Sequence, residues 1–341
     1  MPGPGGARRA VGVLAACCAA VALVACTGPA GPLPGRNALP DAAGEPTASA
    51  PATPGASAEP VPLSETLPGW SYADDEQLRV RDLDPLPAEW WDPGLIVSDE
   101  NFFDADAMSV EEIQAFLEEQ VPYCATWHQR TDRETDSGWP YRCLKDRVWD
   151  VPHLDERGED GERYCQPITA RAGATSAEVI SIVAHACGVS PRTLLVTLEK
   201  EQSLVTDRWP WDGQFFAATG YACYDSAPCV DAYGGFVGQV YHAARTYRLY
   251  VQHPTRFNYQ PFAVNDILFA PGEGCASAPV LIRNRATAAL YDYTPYQPNP
   301  SVLAGREDGD CSAYGNYNFW RLWFHWFGDP AGLGRTWPTG P

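Results

Sequence analysis

The sequence predicts a mainly helical α+β protein with a disulfide-stapled N-terminal lobe and only a minor β element. Three observations predict it. Two stretches with capping-box spacing, Ser109 to Glu112 and Thr175 to Glu178, each open an apolar run of helical period. Eight cysteines lie beyond residue 120, several of them in polar, aromatic segments without periodicity. Strand character is confined to Val280-Leu281-Ile282, beside the stretch from Gly272 to Ala278.

The N-terminus predicts export. Arg8 and Arg9 precede an apolar run from Ala10 to Ala25, short for a membrane span and suited to a signal peptide over residues 1–25. The run ends in Leu23-Val24-Ala25-Cys26, which resembles the bacterial lipobox, in which the cysteine is lipidated and becomes the first residue of the mature protein. Residues 26–70 are rich in Pro, Ala, Gly, Ser and Thr and hold too little apolar surface to offset chain entropy, so they read as a tether. Its reach of ~35 to ~120 Å suits a membrane-anchored protein that works on the cell wall.

In an exported chain, the eight cysteines that remain after the signal segment and Cys26 read as four disulfides: Cys124, Cys143, Cys165, Cys187, Cys223, Cys229, Cys275 and Cys311. Spacing alone leaves the connectivity open, with Cys223 to Cys229 the favoured pair. The chain has no CxxC pair and no HExxH, so no metal and no cofactor is expected. A formal charge of −19, which becomes −21 once Arg8 and Arg9 leave, excludes nucleic acid as a partner. Contact with anionic wall polymers would then rest on stacking and hydrogen bonds, for which 12 Trp and 16 Tyr are available. A monomer is expected.

The folded part divides into a lobe over 71–170, irregular but for the helix after Ser109, a helical core over 171–329, and an unstructured tail over 330–341. In the core, the helix opened by Thr175 carries Val179, Ile182, Val183 and Ala186 and is stopped by Gly188. Ser190 and Pro191 cap the next helix, making a helical hairpin. An aromatic loop with Trp209, Trp211, Tyr221 and Tyr224 follows, then a glycine turn, Gly234-Gly235, running into a helix. Ala286 to Tyr293 reads as a short helix and Phe319 to Phe327 as a last, aromatic one.

The helix after Ser190 holds the candidate chemistry. At about 100° per residue, Leu194, Leu195, Leu198 and Val205 cluster on one side with Glu201 at the cluster's edge, while Lys200 points away and Glu199 lies nearer solvent. A carboxyl held against apolar neighbours keeps its proton and can serve as a general acid, so Glu201 is expected to have a raised pKa. A boundary residue of a helical stripe is the plainer reading of the same position.

The order of these features, a helix ending in Glu201-Gln202-Ser203, a loop, then Gly235-Phe236-Val237-Gly238-Gln239 leading into a helix, resembles the lysozyme-like superfamily of goose-type lysozymes and soluble lytic transglycosylases. The resemblance covers Ser176 to Ala244. It departs from the family pattern at Gln202, which intervenes before the serine, and in an extra residue in the glycine turn. Ile96 to Phe103, Leu194 to Gln202 and Ala288 to Asn299 also look like a group of actinobacterial secreted proteins often labelled haemagglutinin, which keeps a non-catalytic, carbohydrate-binding or adhesive role open.

The superfamily resemblance implies peptidoglycan as substrate and Glu201 as the acid that protonates its glycosidic oxygen. Trp209, Trp211, Tyr221 and Tyr224 are candidates to stack on sugar rings, with core packing under a disulfide loop the alternative reading. Asp225, Gly235, Tyr296 and Gln239 complete the candidate substrate contacts, with Gln239 either bonding the sugar or fixing the loop. Tyr293, Tyr296 and Tyr314 are the candidates for a tyrosine opposite the acid. A two-carboxylate glycosidase needs a second acid, for which Asp212, Asp225 and Asp231 are available, although each equally suits a turn. The transglycosylase route needs none, and is the expected one.

Overall fold

The chain follows its local signals closely through the helical hairpin. A computed structural model describes residues 83, 86–124, 142–223, 229–272, 274–306 and 309–336. The signal segment, Cys26, the tether, Tyr224 and Asp225 lie outside the described residues. All described residues belong to the unit Leu63–Pro341.

Ser98 caps a short helix α1 (Asp99–Phe103), and Ser109 caps α2 (Val110–Gln120) with both halves of the capping box made. Thr175 and Glu178 do the same for α3 (Ser176–Cys187), which ends on Gly188 at φ 63°. Ser190 and Pro191 start α4 (Pro191–Gln202), which ends at Ser203 in the left-handed conformation, φ 55°. A one-turn α5 (Asp212–Phe216) precedes α6 (Phe236–Gln252), which begins after Gly235 at φ 89°, a conformation that favours glycine. Asn284 caps α7 (Arg285–Tyr293); α8 (Pro300–Leu303) and α9 (Gly315–Phe327) complete the helices among the described residues.

Among the described residues two antiparallel pairs make the β element. Strand β1 (Val148–Val151) pairs with β2 (Arg171–Thr175), Val148 opposite Thr175, and β3 (Ala263–Leu268) pairs with β4 (Ser277–Ile282), Val264 opposite Leu281. Only β4 is legible from the sequence. The lobe before residue 170 therefore holds two helices and a strand rather than one helix.

Leu83, Ile96, Phe102 and Ile113 share one buried cluster with residues of α3, α4, α6, α7 and α9, so the core is continuous across residue 170. Helix α4 lies against α9, α3 and α1, and α6 packs on α3 and α7. Trp320, Trp323, Phe319, Tyr247 and Tyr291 are the bulky side chains sealed within it. Among the described residues no single helix is long and apolar enough to cross a membrane.

Among the described residues four disulfides form: Cys124–Cys143, Cys165–Cys187, Cys223–Cys229 and Cys275–Cys311. The segment expected to be unstructured from residue 330 is instead fastened through residue 335. Asp329 accepts from the Arg335 guanidinium at 2.6 Å and from the backbone N–H of Ala331, and Arg335 also donates to the Trp90 carbonyl at 2.6 Å. A buried bidentate pair of this kind outweighs the Gly-rich composition around it.

Candidate functional site

The end of α4 is where three neighbouring charged residues, Glu199, Lys200 and Glu201, take different environments. Glu199, expected nearer solvent, is only 1% exposed. Its Oε2 accepts from the N–H of Val205 and of Thr206, each at 3.1 Å, and its Oε1 from the Thr206 hydroxyl at 2.7 Å. Burial pushes its carboxyl up to about 7, against the hydrogen bonds from Thr206 and Val205 that pull it down. The buried acid of this helix is thus Glu199, and its work is to tie down the chain as it leaves α4.

Lys200 does not point away: its side chain is 5% exposed, and its ammonium pairs with Glu201 Oε1 and donates to Thr294 Oγ1 at 2.9 Å. Glu201 keeps 25% of its side chain in contact with solvent. It sits partly exposed as the ion-pair partner of Lys200 rather than on an apolar stripe. The helix is packed on several sides at once, which is why a single-stripe projection misplaces all three residues.

The other carboxylate oxygen of Glu201, Oε2, faces Gly220. That glycine has φ +71°, and a Cβ there would stand 3.1 Å from Oε2, so only a residue without a side chain gives the loop this approach. Gln239 holds the loop in place. Fully buried on α6, it accepts from the N–H of Thr219 and Tyr221 at 3.2 and 3.1 Å, and donates to the carbonyls of Tyr221 and Tyr233, each at 2.9 Å. Both ends of its amide are engaged by the protein, so of the two roles open to it Gln239 fills that of fixing the loop. Gly235 opens α6 and donates to the Phe216 carbonyl at 2.9 Å, fastening the turn to α5.

Of the candidate tyrosines, Tyr293 is the one tied to this loop, donating to the Thr219 carbonyl at 2.7 Å. Tyr247 of α6 lies beside it, ring centroids 4.8 Å apart. Burial raises both phenols above their ordinary value, and the Glu201 charge adds to the rise in each. Tyr296 takes part in an isolated bridge with Leu268, its carbonyl accepting from Asn316 at 3.0 Å, and Tyr314 stands at the start of α9.

Trp209, Trp211 and Tyr221 of the loop are half-buried. Tyr221 stacks on His242 (5.2 Å, 13°) with Tyr233 at its edge, so one of its faces is taken. Burial, with Arg245 nearby, pushes His242 down to about 4. Trp211 shields Gly213, whose Cβ would fall 2.7 Å from the indole, and the backbone N–H of Trp209 donates to Asp207 Oδ1 at 2.7 Å. Among the possible second carboxylates, Asp212 is paired with Arg147 at 2.7 Å and Asp231 begins an exposed single turn.

Sequence reasoning missed Lys200, Gly220, Thr219 and Tyr247 as parts of this arrangement. Only Gly220 carried a signal, as a glycine between Thr219 and Tyr221 in the loop after α5. Among the described residues no group of three or more His, Cys, Asp or Glu side chains could hold a metal ion. No protein-family model, curated protein or solved structure matches the chain.

Proposed function

We propose that this protein is an exported, lipid-anchored, lysozyme-like enzyme that cleaves peptidoglycan glycan strands through Glu201 by the transglycosylase route. The observation that carries the reading is the presentation of Glu201 Oε2 at a glycine of positive φ, in a loop that Gln239 clamps and Tyr293 buttresses. Lys200 holds Oε1, leaving Oε2 as the proton carrier. Glu201, having taken up a proton from solvent on its exposed side, would donate it to the glycosidic oxygen as the bond to the anomeric carbon breaks. The sugar's own hydroxyl then attacks that carbon, its proton returns to Glu201, and an anhydro ring closes without water.

The Lys200–Glu201 contact favours a second reading, in which the same surface binds wall glycan or a host carbohydrate without turning it over. Analysis of muropeptides released by the exported protein from purified peptidoglycan separates them. Anhydro products support the transglycosylase, reducing ends the hydrolytic lysozyme, and binding without release the adhesive protein. Anchoring at the outer face of the membrane is tested by labelled palmitate, which follows Cys26; a Cys26→Ala protein that still takes up label contradicts it.

A further inference from the structure

A cavity of about 400 Å³ opens among α1, the C-terminal part of α6 and the start of α7. Two guanidinium groups line it, Arg248 and Arg285. Among the described residues neither has a carboxylate at ion-pair distance or a hydrogen-bonded acceptor, in a chain whose formal charge is −19. Arg248 is partly buried over the ring of Phe103, 5.3 Å from its centroid, and burial holds its guanidinium below its ordinary value. An arginine presents five donors in a fixed fork, and these two guanidinium groups, that of Arg248 half-buried and that of Arg285 exposed, present theirs to whatever enters the cavity. Arg285 is the first residue of α7, where the helix dipole already disfavours a cation and the first turn holds no acidic residue. The near acid, Asp99, has Oδ1 engaged by the Ala286 N–H at 2.7 Å, whereas Glu100, also on the cavity wall, is exposed. Phe103 and Val251 supply apolar wall between these charges.

We propose that this cavity is a binding site for a small zwitterion of the amino-acid class, its carboxylate between Arg248 and Arg285, its ammonium at Glu100 and its apolar part against Phe103 and Val251. The volume lies within the range of small-molecule sites. A paired carboxylate and ammonium complement the wall where a simple anion would leave Glu100 opposed to it. The proposal is independent of whether Glu201 cleaves a glycan.

Calorimetric titration of the full protein with alanine and with alanyl-alanine tests it, with sodium acetate and inorganic phosphate as simple anions. Saturable binding of either zwitterion is expected. The free amino acid or the dipeptide binding more tightly identifies the source. Arg248→Gln, Arg285→Gln and Glu100→Gln are each expected to weaken it about tenfold, as loss of one charge-assisted contact should. The proposal is overturned if neither zwitterion saturates up to about 10 mM, or if acetate or phosphate binds as tightly. Unchanged affinity in Arg285→Gln overturns it equally, since Arg285 is exposed and its loss leaves the core intact.

Discussion

Two positions separate Glu199 from Glu201 in α4, and burial separates them further. Glu199 is enclosed with three donors on its oxygens, while Glu201 meets solvent, Lys200 and Gly220. A carboxyl raised to about 7 in the folded state, against 4.5 as its ordinary value, binds its proton more tightly folded than unfolded. Its contribution to stability is complete below the unfolded value and is lost as pH rises through 7. Urea unfolding of the native protein should therefore weaken between about pH 5 and 8, by up to about 3 kcal/mol from this residue. Asp292, also raised to about 7 by burial, titrates in the same direction. The slope belonging to Glu199 is the part missing from Glu199→Gln, and identical slopes in the two proteins would show that Glu199 is ionised throughout. This division of labour was not legible in the sequence, because a helical projection assumes one wet face and α4 has neighbours on several.

At the scale of elements, the glycine turn and α6 act on the loop beside Glu201 through one side chain. Gln239→Leu leaves the N–H of Thr219 and Tyr221 and the carbonyls of Tyr221 and Tyr233 without these partners. Each buried group so stranded costs about 1–3 kcal/mol unless water reaches it. We expect the variant to lose roughly 3 kcal/mol of stability and to show faster amide exchange at Thr219 and Tyr221, with α4 and α9 amides unchanged relative to the global rate. Exchange that speeds uniformly would mean that Gln239 supports the core rather than the loop. Capping boxes made the starts of α2 and α3 legible, Ser190-Pro191 marked α4, and Gly188 marked its predecessor's end, because these signals act within a turn of the chain. Strands β1 to β3 escaped notice, since their pairing is set by partners 9 to 27 residues away and by burial, not by alternation in their own residues.

For the whole molecule, the four disulfides close sequence separations of 19, 22, 6 and 36 residues. Chain entropy assigns about 2 kcal/mol to the shortest closure, Cys223–Cys229, and about 4 kcal/mol to the longest, Cys275–Cys311. Paired serine replacements should lower the urea midpoint in that order, and the reverse order would place the energetic weight of Cys223–Cys229 in the folded loop. An even cysteine count made the number of bridges legible, and the short spacing favoured one pair; the other three depend on which segments the core brings together. The end of the chain shows the same limit, its Gly-rich composition giving no sign of the Asp329–Arg335 clamp. The proposed activity rests on Glu201, and the most direct measurement is anhydro-muropeptide release from purified peptidoglycan by the native protein and by Glu201→Gln, with folding of both checked by thermal unfolding. The account predicts release by the native protein and none above background from a fully folded Glu201→Gln; undiminished release by that variant, or none by the native protein, would contradict it.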